Sequence, residues 1–114
     1  MKQVMVVGCS AYMESCYGCP GEWRCMTAAA VGEGKFAEPS QILAMIRCEC
    51  PGRATVSNVG LAIKQSQRKP DAIHLAKCMA EAKPDCPYVS AEEMGKRIEA
   101  KTGVPVVSGT HEYV

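Results

Sequence analysis

The chain has 114 residues, 47% of them hydrophobic and 22% charged, with a formal net charge of +1. That is the length of one domain, spanning 1–114, with enough apolar material for a core that needs no staples. The near-neutral balance, without a block of like charge, excludes a general attraction to nucleic acid or to anionic lipid. The apolar run at 4–7 is far shorter than the ~18 residues of a membrane span or the ~7–15 of a signal-peptide core, so no membrane partner is expected and the expected location is cytoplasmic.

The elements alternate along the chain. Residues 3–9 (QVMVVGC) form a short apolar run bounded by glycine, and a helix is expected after Pro20, carrying Trp23, Met26 and the alanines at 28–30 and ending at Gly32-Glu33-Gly34. A second strand is expected at 41–48 (QILAMIRC). The helix after it places Val56, Val59 and Ile63 on one face and stops before Pro70. A third strand is expected at 71–78 (DAIHLAKC) and a fourth at 104–111 (VPVVSGTH), neither face showing the polar alternation of a half-exposed strand. Between them Ser90 caps a helix with Glu93 three residues on, Met94 and Ile98 lie one turn apart, and Gly103 and Pro105 stop it. The expected fold is α/β: a three-layer, Rossmann-like or flavodoxin-like single domain with four parallel strands in the order 2-1-3-4.

Eight cysteines stand out: Cys9, Cys16, Cys19, Cys25, Cys48, Cys50, Cys78 and Cys86. In a reducing compartment clustered thiols serve metal binding or redox work more often than disulfide scaffolding, and isolated cysteines act as small buried hydrophobes. On the expected elements Cys9, Cys48 with Cys50, Cys78 and His111 end the four strands, and Cys16, Cys19 and Cys86 fall in the loops beyond. Those strand ends share one edge, the carboxyl edge, where open α/β sheets bind ligands. Cys19-Pro20-Gly21 and Cys50-Pro51-Gly52 also read as thiolates at helix mouths, since proline has no donor to lose at a first helical position. His74 reads as a satisfied core histidine, whereas His111 is a candidate ligand or a donor behind the ligands.

The segments CYGCPGEWRC, GEGKFA, CPGR, PDAIHLAKCM, CPY and KTGVPVVSGTH together resemble, in order and over nearly the whole chain, the CGGC domain family of small cysteine-rich prokaryotic proteins. The resemblance implies metal binding, zinc having been the usual guess. The family's Cys-Gly-Gly-Cys stands here as Arg47-Cys48-Glu49-Cys50, so Cys50 keeps the last position with its Pro-Gly-Arg tail and the first thiol is shifted to Cys48.

Spacing bears on the metal. The separations between successive cysteines, 6, 2, 5, 22, 1, 27 and 7 residues, lack the paired C-x-x-C elements of a zinc ribbon. Iron-sulfur clusters accept irregular thiolate spacing, so an iron-sulfur cluster is the preferred cofactor and zinc the alternative. The candidate ligands are the eight cysteines and His111, with Cys9, Cys16, Cys19, Cys50 and Cys78 foremost. The expected role is electron transfer or cluster delivery to a redox or metal-acceptor protein. A dithiol redox protein using Cys16 and Cys19 is the alternative of a different class. No catalytic motif is found: Cys19 to Arg24 and Cys48 to Arg53 are each one residue short of a phosphatase-type loop, and no phosphate-binding glycine loop follows the first strand.

Overall fold

The computed structural model describes residues 1–9, 23–49, 52–80 and 88–110. Strands β1 (Lys2–Cys9), β2 (Ser40–Cys48), β3 (Ala72–Leu75) and β4 (Val106–Ser108) form an all-parallel sheet ordered β2-β1-β3-β4. The described helices are α1 (Trp23–Val31), α2 (Thr55–Ser66), the single turn α3 (Lys77–Ala80) and α4 (Ala91–Thr102). Fold class, parallel sense and strand order agree with the expectation from sequence.

Both faces of the sheet are covered, which makes the three layers. On one face Met5, Val7, Ile46, Cys48, Ile73 and Leu75 pack against Val59 of α2 and Met94 and Ile98 of α4. On the other, Val4, Val6 and Ala72 pack against Cys25, Ala28 and Ala29 of α1 and against Phe36. This division follows from the two periods: alternate residues of a strand face opposite ways, and residues three and four apart share a helix face. The central strand β1 is buried from 4 to 8, as a strand covered on both sides must be. The strand β2, at the edge of the described sheet, differs from the fully buried strand expected and exposes Gln41 and Arg47.

A bulge in β2 decides what stands at the carboxyl edge. Val4 is opposite Ile42 but Met5 is opposite Ala44, so Leu43 is an extra residue, and Leu43 and Ala44 both pack on the α2/α4 face. An extra residue shifts all later pairing by one. The partner of Cys9 is therefore Cys48 rather than Arg47.

The helices stop by local chemistry. At the end of α1, Gly32 takes φ +73°, and the amides of Gly32 and Glu33 donate to Ala29 and Ala28, a Schellman closure. The Gly32-Glu33-Gly34 stretch is thus a helix terminator. Ser90 Oγ accepts the Glu93 amide at the start of α4, and Gly103, at φ +73°, closes its end onto the Glu99 carbonyl. Both caps are those expected from sequence.

Three expectations about the site-bearing junctions are corrected, the first being that β4 runs only from Val106 to Ser108, so the fourth strand does not reach His111. β3 stops at Leu75 and Cys78 lies in the helical turn α3, so Cys78 does not end a strand. The short apolar run 71–78 has no periodicity that separates a strand from a strand followed by a helical turn. The helix after β2 starts at Thr55, with Ala54 as its cap, four residues beyond Pro51. Proline is therefore not its first residue, and Gly52 instead occupies a turn whose amide donates to the Glu49 carbonyl.

Candidate metal centre

β1 and β2 deliver two thiols to one place. Cys9 and Cys48 end their strands as register partners, and neighbouring strands lie about 4.8 Å apart. Cys48 packs on the α2/α4 face, and alternation from Met5 and Val7 puts Cys9 on that face too. Their exposure differs: Cys48 is 8% exposed, whereas Cys9 is half-buried.

The turn after β2 folds back over the buried thiol. Gly52 has φ +85°, a conformation that L side chains rarely adopt. A methyl added there would stand 3.2 Å from Cys48 Sγ and 3.6 Å from Met94 Cε. Glycine is thus favoured twice in the Cys-Pro-Gly-Arg stretch, by its backbone angle and by the sulfur that an added Cβ would crowd. The sequence shows the Pro-Gly pair but not that its glycine lies close to the preceding strand's thiol.

Cys25 lies elsewhere. It belongs to α1, on the opposite face of the sheet from Cys48, is 4% exposed, and its Sγ is 3.2 Å from Thr110 Oγ1. Thr110, itself fully buried, also accepts the Lys77 amide at 3.2 Å, and its carbonyl accepts the Lys35 amide. One threonine therefore ties α1, the start of α3 and the end of β4 together. Nothing in the sequence marks Thr110 for this role beyond its place before His111.

His74 is buried in β3, as expected of a core histidine. Its Nδ1–H donates to the Gly109 carbonyl at 2.9 Å, and its ring stacks on Phe36 with centroids 4.2 Å apart. Burial lowers its pKa below the ordinary 6.5, the Gly109 bond opposes that shift, and the positive charge of Lys2 adds to it.

The structure brings together Cys9 and Cys48 among the expected site residues, and sets Cys25 apart from them. Cys16, Cys19, Cys50, Cys86 and His111 lie outside the described residues, and Cys78 is placed only by its backbone in α3. Among the described residues no group of three or more His, Cys, Asp or Glu side chains is close enough to hold a metal ion. The two in-register thiols nevertheless fit one side of a thiolate metal site in chemistry and spacing. Two clefts of about 500 and about 460 Å³ lie along the outer edges of the sheet, beside β2 and β4, and no described cysteine lines either. Among the described residues no helix is long and apolar enough to cross a membrane.

Comparison with known proteins adds the family. No solved structure matches the chain. An uncharacterised protein of Methanocaldococcus jannaschii is 31% identical over 118 residues, covering 98% of this chain and 88% of the relative. The family model named CGGC domain matches residues 3–111, taking in the described strands from Gln3 onward and all eight cysteines. The chain belongs to the CGGC domain family.

Proposed function

We propose that this protein binds metal through thiolates gathered at the carboxyl edge of its sheet, and that the metal is an iron-sulfur cluster used for electron transfer or for delivery to an acceptor protein. The observation that carries the reading is the in-register pair Cys9 and Cys48 at that edge. A bulge is spent on making that pairing, and a glycine turn is packed on one of its sulfurs. Family membership supports a cysteine-rich, metal-binding protein at the coarse level. The donors proposed are Cys9 and Cys48 with Cys16, Cys19, Cys50 and Cys78, followed by Cys86 and His111. Cys25 is left out and given a structural role, because it is buried on the other face against Thr110.

Iron is favoured over zinc by the spacing of the thiols, which lacks the paired C-x-x-C elements of zinc ribbons. When bound, such a cluster supplies one-electron chemistry. The chain's own residues hold it, keep part of it dry through the α2/α4 core, and tune it by what surrounds Cys48. The partner is a redox or metal-acceptor protein.

The test is the visible spectrum of anaerobically purified protein, with iron, acid-labile sulfide and zinc measured on the same sample. Expected are a brown protein, matched iron and sulfide, and absorption that bleaches on reduction. Cys9→Ser and Cys48→Ser should lower the metal content and Cys25→Ser should not. Colourless protein with about one zinc per chain would replace the cluster with a closed zinc site.

A further inference from the structure

We propose that Cys9 and Cys48 are also a dithiol that closes into an intramolecular disulfide on meeting a low-molecular-weight disulfide of the glutathione class. This closure would set whether the edge can hold metal, and that consequence rests on the function proposed above.

The register puts the two residues within the Cα separation of a disulfide. A disulfide needs Cα atoms about 4.4–6.8 Å apart, and register partners on adjacent strands sit about 4.8 Å apart. Both side chains leave the same face of the sheet, so their Cβ vectors do not diverge across it. Without the extra Leu43 the residue opposite Cys9 would be Arg47, and no such pair would exist. Both residues are the last of their strands, so the bond forms at the end of the β1–β2 ladder and not within it.

Exposure assigns the order of events. Cys9 is half-buried and meets solvent, whereas Cys48 is 8% exposed beneath the Gly52 turn. Cys9, as thiolate, attacks one sulfur of the incoming disulfide, forms a mixed disulfide and releases one thiol. Cys48 then loses its proton, attacks Cys9 Sγ and displaces the second thiol. Two protein thiols are oxidised, one external disulfide is reduced to two thiols, and the two protein protons end on those thiols. Rapid resolution is expected because the second sulfur is already on the adjacent strand. Once joined, the two sulfurs are no longer thiolates, and two donors are withdrawn from the metal site together.

The experiment uses the full chain, made metal-free by chelation under anaerobic conditions. It is exposed to glutathione disulfide, its remaining thiols are alkylated, and its peptides are mapped by mass spectrometry. The expected result is a Cys9–Cys48 cross-linked peptide among the earliest products, with Cys48→Ser retaining glutathione on Cys9. Should Cys48→Ser fail to fold, Cys48→Ala fills the same buried position with an apolar group and must show the same trapped adduct. Stable glutathione on Cys9 of the unsubstituted chain would overturn the proposal, because it would put Cys48 out of reach. So would alkylated Cys9 and Cys48 in a sample whose other cysteines have paired. The readout requires no bound metal, so absence of a cluster from the purified protein would remove the function proposed above and leave this result standing.

Discussion

Replacing Gly52 with alanine probes the site without touching a thiol. At φ +85° an L side chain costs about 1–2 kcal/mol in backbone strain. The new methyl would also approach Cys48 Sγ to 3.2 Å, inside an ordinary contact, with Met94 Cε at 3.6 Å behind it. Cys48 is packed in the α2/α4 core, so it has little room to yield, and such overpacking adds roughly 1 kcal/mol. Gly103→Ala supplies the control: its φ is +73°, but its nearest contact is Lys69 Nζ at 3.8 Å, the mobile end of an exposed side chain. It carries the backbone cost without the crowding. At roughly 4 °C per kcal/mol for a domain near this size, Gly103→Ala should lower the melting temperature of the metal-free protein by about 4–8 °C and Gly52→Ala by about 8–12 °C. Metal content after reconstitution should fall for Gly52→Ala and stay unchanged for Gly103→Ala. If the two variants melt together and bind metal equally, the Gly52 turn does not position Cys48 and the reasoning fails.

Two further perturbations test the opposite face and the buried histidine. Thr110→Val removes the hydroxyl that meets Cys25 Sγ and the Lys77 amide, and should cost about 1–3 kcal/mol in urea unfolding, while Cys25→Ser, which keeps a hydrogen-bonding atom there, should cost less. For His74, burial holds the folded pKa below 6.5, so the unfolded chain takes up a proton before the folded one does. The stability of the metal-free protein should therefore hold above about pH 6.5 and decline as pH falls from there toward the folded value. The urea midpoint followed between about pH 7.5 and about pH 5.5 should slope less in His74→Gln; an equal slope would take His74 out of the acid response.

The sheet order, the two glycine-terminated helices and the Ser90 cap were legible because each depends on local pattern. Apolar runs of strand length alternating with helical periods leave few parallel topologies, and a serine with glutamate three residues later marks a helix start. Cys25 counts among the candidate ligands on sequence, whereas it falls on one helical face with Ala28 and Ala29 and all three are buried. What could not be read is set by residues distant in the chain. The inserted Leu43 is defined only by pairing with β1, and without it Cys9 would face an arginine. The early end of β3 depends on the chain turning at Ala76, whose amide bonds the Val7 carbonyl of the neighbouring strand. Thr110 acts on Cys25 across 85 positions of sequence, a contact to which no local signal corresponds.

The two faces of the sheet put the same side chain to different uses, and the difference is one of depth along the strands and helices. Cys25 sits among alanines in the body of a helix, where a thiol is a small apolar group able to share a weak hydrogen bond, and Thr110 Oγ1 is a partner in it. Cys48 is as apolar in its immediate surroundings, but it is the last residue of its strand, beside another strand's last residue, which is also a cysteine. Cys48 is 8% exposed beneath Gly52, whereas Cys9 is half-buried and meets solvent. That asymmetry gives a half-exposed cysteine the encounter and a buried one the retention, whether the arriving group is a metal or a disulfide.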